Sequence, residues 1–104
     1  MDHEPTPPQD CATMAEVRAG VDALDAEIVA LFARRFAYMR AAARLKPHRE
    51  DVRDEARKAE VLAAVRNAAR EHGLSETLAG ELWERLIEAS IAYELTEWER
   101  LRRL

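Results

Sequence analysis

The stretch Met14–Lys46, MAEVRAGVDALDAEIVALFARRFAYMRAAARLK, decides the fold. At alternating steps of three and four it reads Met14, Val17, Val21, Leu24, Ile28, Leu31, Arg35, Tyr38, Ala42, Leu45. That spacing is a heptad seam, the mark of a long helix packed along its length against other helices. Every seam position is apolar or aromatic except Arg35. A guanidinium on a packing seam is costly to bury without a partner. Either Arg35 sits at a frayed edge, or an anion meets it inside the bundle.

The ends of this helix are written in the same stretch. Thr13-x-x-Glu16 is a capping box, so the helix starts at Thr13. Pro47 stops it near Leu45, because the residue before a proline is steered away from helical geometry. At ~1.5 Å per residue the helix is roughly 50 Å long. Residues 1–12, which hold all but one of the prolines, form a flexible arm ahead of a helical domain spanning 13–104.

Downstream, a polar connection covers 47–51. A second helix is expected from Asp51 or Val52 to Glu71, with a modest apolar face of Ala56, Val61, Leu62, Val65 and Ala69. Asp54 and Lys58 are spaced to pair at i,i+4. His72-Gly73 ends it, with Gly73 suited to a left-handed C′ position. Ser75 caps a third helix, expected from Glu76 to Arg102. Its inner stripe is Trp83, Ile87, Ser90, Glu94, Trp98, Leu101. Three helices of such unequal length leave the longest one uncovered. An intertwined homodimer, with two long helices side by side, resolves that.

Composition bounds the rest. The chain has 104 residues, one domain by size, and is 48% hydrophobic. A net charge of −4 argues against a general nucleic-acid binder. The lone Cys11 leaves no internal disulfide and fits a reducing compartment. No apolar run approaches the ~18 residues of a membrane span. A cytoplasmic protein is the expectation, with no nucleic-acid or membrane partner.

Polar residues on inner faces are the candidates for function. Arg35 and Lys46 share a face of the first helix, about 16 Å apart along its axis, and their long side chains can converge on one small ligand. A solvated basic edge is the plainer reading. Arg18 lies about 25 Å from Arg35 along the helix, so it either is a surface residue or completes a partner's site in an antiparallel dimer. Arg53 and Arg57 share a face of the second helix, as a charged solvent face would. Ser90 and Glu94 interrupt the inner stripe of the third; Glu94 is either a desolvated carboxyl group or the salt-bridge partner of a neighbouring arginine. No Gly-rich phosphate loop, metal-ligand spacing or HExxH is present, and Cys11 lies away from any nucleophile–base pair. Cations, a serine and one acid inside a helical bundle suit the binding of a small polyanion.

The residues that carry a family resemblance are Asp10-Cys11, then Arg18-x3-Asp22-x2-Asp25-x2-Ile28, Arg34-Arg35, Tyr38, Ala41-Ala42 and Arg44-x-Lys46. They continue with Val52-Arg53-Asp54, Arg57, Ser90-Ile91-Ala92, Glu94 and Trp98. With these the chain resembles the all-helical chorismate mutase family, closest to the branch that holds isochorismate pyruvate lyase. The resemblance implies an all-α, intertwined homodimeric bundle with two active sites and no cofactor or metal. It implies that Arg35, Lys46 and Arg57 bind the substrate's carboxylates and ether oxygen. Arg18 enters from the partner chain, Ser90 lies near a carboxylate, and Asp54 near the ring hydroxyl. The implied catalytic set is Lys46, Glu94 and Arg35.

Two residues depart from the family pattern. Glu94 stands where glutamine is common, and a glutamate donates a hydrogen bond only when protonated. Lys58 stands where many mutases carry a glutamate. The expected reaction is the rearrangement of chorismate to prephenate, in aromatic amino acid biosynthesis. The alternatives are isochorismate pyruvate lyase, giving salicylate and pyruvate, and a non-catalytic dimerisation module in which Arg35 and Glu94 pair.

Overall fold

The structure is a computed structural model that describes residues 4–103. Three α-helices follow in order: α1 (Met14–Leu45), α2 (Glu55–Glu71) and α3 (Glu76–Arg102). Short 3-10 turns lie at Pro8–Asp10 and Arg49–Asp51. No strand occurs among the described residues. The chain divides into two compact units, one up to Ala37 and one from Tyr38 onward.

In the N-terminal unit the capping box forms as the sequence predicts. Thr13 Oγ1 accepts from the Glu16 amide at 3.2 Å, and Glu16 Oε1 accepts from the Thr13 amide at 3.0 Å. Glu16 does more than cap. Its carboxylate also accepts from the Ala12 amide and from the Thr6 hydroxyl, both at 3.0 Å. The described part of the expected arm, from residue 4, is thus tied to the first turn of α1. The carboxyl of Glu16 is held below its ordinary range, first by the Ala12 amide and then by the hydroxyls of Thr6 and Thr13. The seam of α1 is exposed here: Met14, Val17, Val21, Leu24, Ile28 and Leu31 all face water in the single chain.

The C-terminal unit holds the buried apolar residues. Ala43 from the end of α1, Val52 from the connection, Ala69 from α2, and Ala79 and Ile87 from α3 are buried. Most are alanines, which let helix backbones approach closely. Gly80 takes this further. A Cβ there would stand 2.9 Å from Arg66 Nε, so the Arg66 guanidinium of α2 lies directly over the α3 backbone. Gly73, at φ 72°, supplies the left-handed turn between α2 and α3. Ser75 Oγ accepts from the Leu78 amide and caps α3 where the sequence places it.

The start of α2 is later than the sequence reading puts it. Two aspartates compete for the role of cap, and each takes its own turn. Asp51 Oδ2 accepts from the His48 amide and closes the 3-10 turn. Asp54, in extended conformation, accepts from the Arg57 amide at 3.0 Å and begins α2. No described helix is long and apolar enough to cross a membrane.

Candidate functional site: a lysine gripped by helix α3

Lys46 is the first residue beyond α1, fixed there because Pro47 forbids another helical turn. Its amide donates to the Ala42 carbonyl at 2.9 Å, so its backbone still follows the helix. Its side chain crosses to α3, where Nζ donates to Glu94 Oε2 at 2.7 Å. A longer contact reaches the Val52 carbonyl at 3.5 Å. Glu94 and Ser90 are the buried polar residues of α3, one turn apart on the face that also carries Ile87. A carboxylate buried at that depth needs a cation or several donors. The expected arginine partner is in fact this lysine. The Ser90 hydroxyl donates to the Leu86 carbonyl at 2.6 Å, the i−4 back-bond that serine makes inside a helix.

Two residues that the sequence reading did not place in the site complete the grip. Trp98 Nε1 donates to the Lys46 carbonyl at 2.9 Å. Arg102 Nη2 donates to the same oxygen at 2.7 Å, and its Nη1 donates to the Ala43 carbonyl at 3.0 Å. The guanidinium also stacks on Trp98, 4.2 Å from the ring centroid. The last carbonyls of a helix lack partners within it, and here α3 supplies them. The sequence signal was available: Glu94, Trp98 and Arg102 are spaced i, i+4, i+8, one stripe of a helix.

The start of α2 is held to α3 by charge. Arg53 makes a fork to Glu88, at 2.7 and 3.1 Å, and also reaches Glu55 at 2.9 Å. Lys58 bonds Glu84 at 2.7 Å and Glu88 at 2.9 Å. The expected Asp54–Lys58 side-chain pair does not form, because Asp54 is spent on capping and Lys58 turns to α3. Hydrogen bonds from Arg53 and then from Lys58 hold the Glu88 carboxyl down at about 2. The same bonds raise Arg53 above its ordinary value, and Glu84 with Glu88 raise Lys58.

The structure therefore brings Lys46 and Glu94 into contact, with Ser90 on the same buried face. It brings Asp54 and Arg57 together through a capping bond, while the Arg57 guanidinium turns outward to Glu60 at 3.3 Å. Arg18 and Arg35 belong to the N-terminal unit, where Arg18 is exposed and Arg35 half-buried on α1.

This arrangement meets known proteins at the right place. Residues 17–95 match the family described as chorismate mutase type II. An isochorismate pyruvate lyase from Pseudomonas aeruginosa is 30% identical over 95 residues, 91% of this chain and 94% of that protein. The family match spans Arg18 through Glu94 and every site candidate between them. An all-helical chain whose matched span covers most of its length and holds a half-buried lysine paired with a buried glutamate belongs to the chorismate mutase type II family of enzymes.

Proposed function

We propose that the protein converts chorismate to prephenate by a [3,3] pericyclic rearrangement. The observation that carries this reading is the Lys46–Glu94 pair within the matched span. The reaction needs no covalent intermediate and no proton transfer. It needs a flexible dianion held compactly, so that the bond-forming carbons meet as the C–O bond breaks. It also needs positive charge or a donor where the ether oxygen becomes negative. Lys46 meets the second need: one side of its ammonium is anchored on Glu94, and its side chain keeps 30% of its surface open. Lys46→Ala is expected to raise the barrier by about 3 kcal/mol.

Glu94 accepts from Lys46 in the structure. Its role is to hold that ammonium beside the ether oxygen. Arg35 and Arg57 take the substrate carboxylates. The outward Arg57–Glu60 pair is exposed on both sides, so releasing it costs little. The Ser90 hydroxyl lies next to a carboxylate, and Asp54 lies near the ring hydroxyl. Two chains form an intertwined cytoplasmic homodimer, and Arg18 reaches the partner's site. The exposed seam of α1 supports that assembly.

The second reading is isochorismate pyruvate lyase, with salicylate and pyruvate as products. The Pseudomonas aeruginosa relative favours it. Lys58 also favours it: this lysine, where many mutases have an acid, is turned to Glu84 and Glu88. Turnover of chorismate and, separately, isochorismate at pH 5.5 and 7.5 decides between the two. Prephenate from chorismate supports the mutase, and salicylate as the dominant product supports the lyase. Neither product leaves a dimerisation module.

A further inference from the structure

We infer that Trp98 and Arg102 are positioning residues for Lys46, acting through its main chain while Glu94 holds its side chain. The inference rests on the reading of Lys46 as the catalytic cation. One stripe of α3, Glu94–Trp98–Arg102, takes hold of a single residue at both ends. Glu94 binds the ammonium at 2.7 Å; Trp98 and Arg102 bind the carbonyl at 2.9 and 2.7 Å. Both carbonyl donors lie beyond the span that matches the family, which ends at residue 95.

The geometry explains why a second hold matters. Lys46 follows the last helical residue of α1 and precedes a proline, so the next residue has no N–H to continue the ladder. Its carbonyl would otherwise be free to swing with the connection that follows. A lysine side chain has four rotatable bonds, and a bond at Nζ alone does not fix where the chain begins. The guanidinium fork closes that freedom. Nη2 takes the Lys46 carbonyl, Nη1 takes the Ala43 carbonyl one turn earlier, and the plane is braced on the Trp98 ring. The last turn of α1 and the lysine after it are thereby set at a fixed height on α3. Displacing a charged group by about 1 Å from the reacting oxygen can cost roughly 100-fold in rate.

The test uses Arg102→Ala, Arg102→Lys and Trp98→Phe in the full chain, with two readouts. The first is turnover of the substrate that the wild type accepts. Positioning predicts that kcat falls roughly 10- to 100-fold in Arg102→Ala, with KM changed less. Trp98→Phe keeps the stacking ring without its donor and falls less. Arg102→Lys, which keeps charge but loses the fork, recovers only part. The second readout is the side-chain NMR signal of Lys46, assigned by its loss in Lys46→Gln. Positioning predicts that this signal moves toward that of a free lysine in Arg102→Ala, as it does in Glu94→Gln. A normal kcat with an unmoved Lys46 signal, even with a lowered melting temperature, overturns the inference and leaves Arg102 a helix cap. If the wild type turns over neither substrate, the functional reading fails, and the NMR signal still decides whether Arg102 positions Lys46. Should Arg102→Ala fail to fold, Arg102→Lys and Trp98→Phe carry both readouts.

Discussion

Lys46 Nζ and Glu94 Oε2 stand 2.7 Å apart, yet the two side chains differ in their access to water, at 30% and 5% exposure. Their removal is therefore not symmetric. Lys46→Ala strands a carboxylate that water cannot reach, and the cost is about 3 kcal/mol. Glu94→Ala leaves an ammonium that can turn to solvent, and the cost is about 1 kcal/mol. Urea denaturation of both variants at neutral pH measures the order. Equal losses, or a larger loss for Glu94→Ala, would contradict the burial argument.

The α2 start is expected to loosen in acid. The folded Glu88 carboxyl is depressed to about 2 from 4.5 by Arg53 and Lys58. A group depressed on folding stabilises above its unfolded value and loses that contribution as pH falls through its folded one. The window is therefore from about pH 5 down to pH 2, and wild-type melting temperature drops across it. Glu88→Gln removes the titrating group. Its melting temperature should start lower at pH 7 and drop less over the same window. Added salt at pH 7 should narrow the difference through the exposed Arg53–Glu88 pair more than through the sheltered Lys58.

Asp54 separates a structural from a chemical role. Its side chain caps α2 through the Arg57 amide. Asp54→Ala is expected to lose about 1 kcal/mol, whereas Asp54→Asn, an equally good cap, stays near wild type. A contact with a substrate hydroxyl would be weakened by the same asparagine. Asp54→Asn should then raise KM at unchanged melting temperature. An unaltered KM restricts Asp54 to the cap.

The helices were legible because their signals are local. Thr13-x-x-Glu16, Pro47, Gly73 and Ser75 each act within one turn, and each appears in the structure where the sequence places it. The start of α2 was harder: the sequence reading began the helix at Asp51 or Val52 and set Asp54 inside it to pair with Lys58, whereas Asp51 closes a separate 3-10 turn and Asp54 caps α2. In the site, the inner stripe pointed to Ser90 and Glu94, which are buried. It did not point to the partner of Glu94, because Lys46 lies 48 residues earlier and pairing at that separation depends on helix packing. Arg102 was missed for a related reason. It ends α3 as an ordinary basic residue, and its role exists only because the carbonyls of Ala43 and Lys46 come to rest beneath it.

The exposed seam and Arg18 yield the last prediction. Met14, Val17, Val21, Leu24, Ile28 and Leu31 are exposed, and burying the larger side chains fully would gain about 1.5–3 kcal/mol each, which the proposed homodimer would supply by setting a second α1 against them. Sedimentation of the wild type is expected at twice the chain mass, and Leu24→Glu, a charge on the seam, should halve it. Subunit mixing then tests Arg18. In an intertwined dimer that borrows Arg18 across the interface, Arg18→Ala and Lys46→Gln homodimers are each inactive. After exchange, a mixed dimer carries both lesions in one site and neither in the other. Equal mixing should restore about a quarter of wild-type turnover by random pairing of two chains. No recovery after demonstrated exchange would assign Arg18 to a site of its own chain, and an active Arg18→Ala homodimer would leave it a surface arginine.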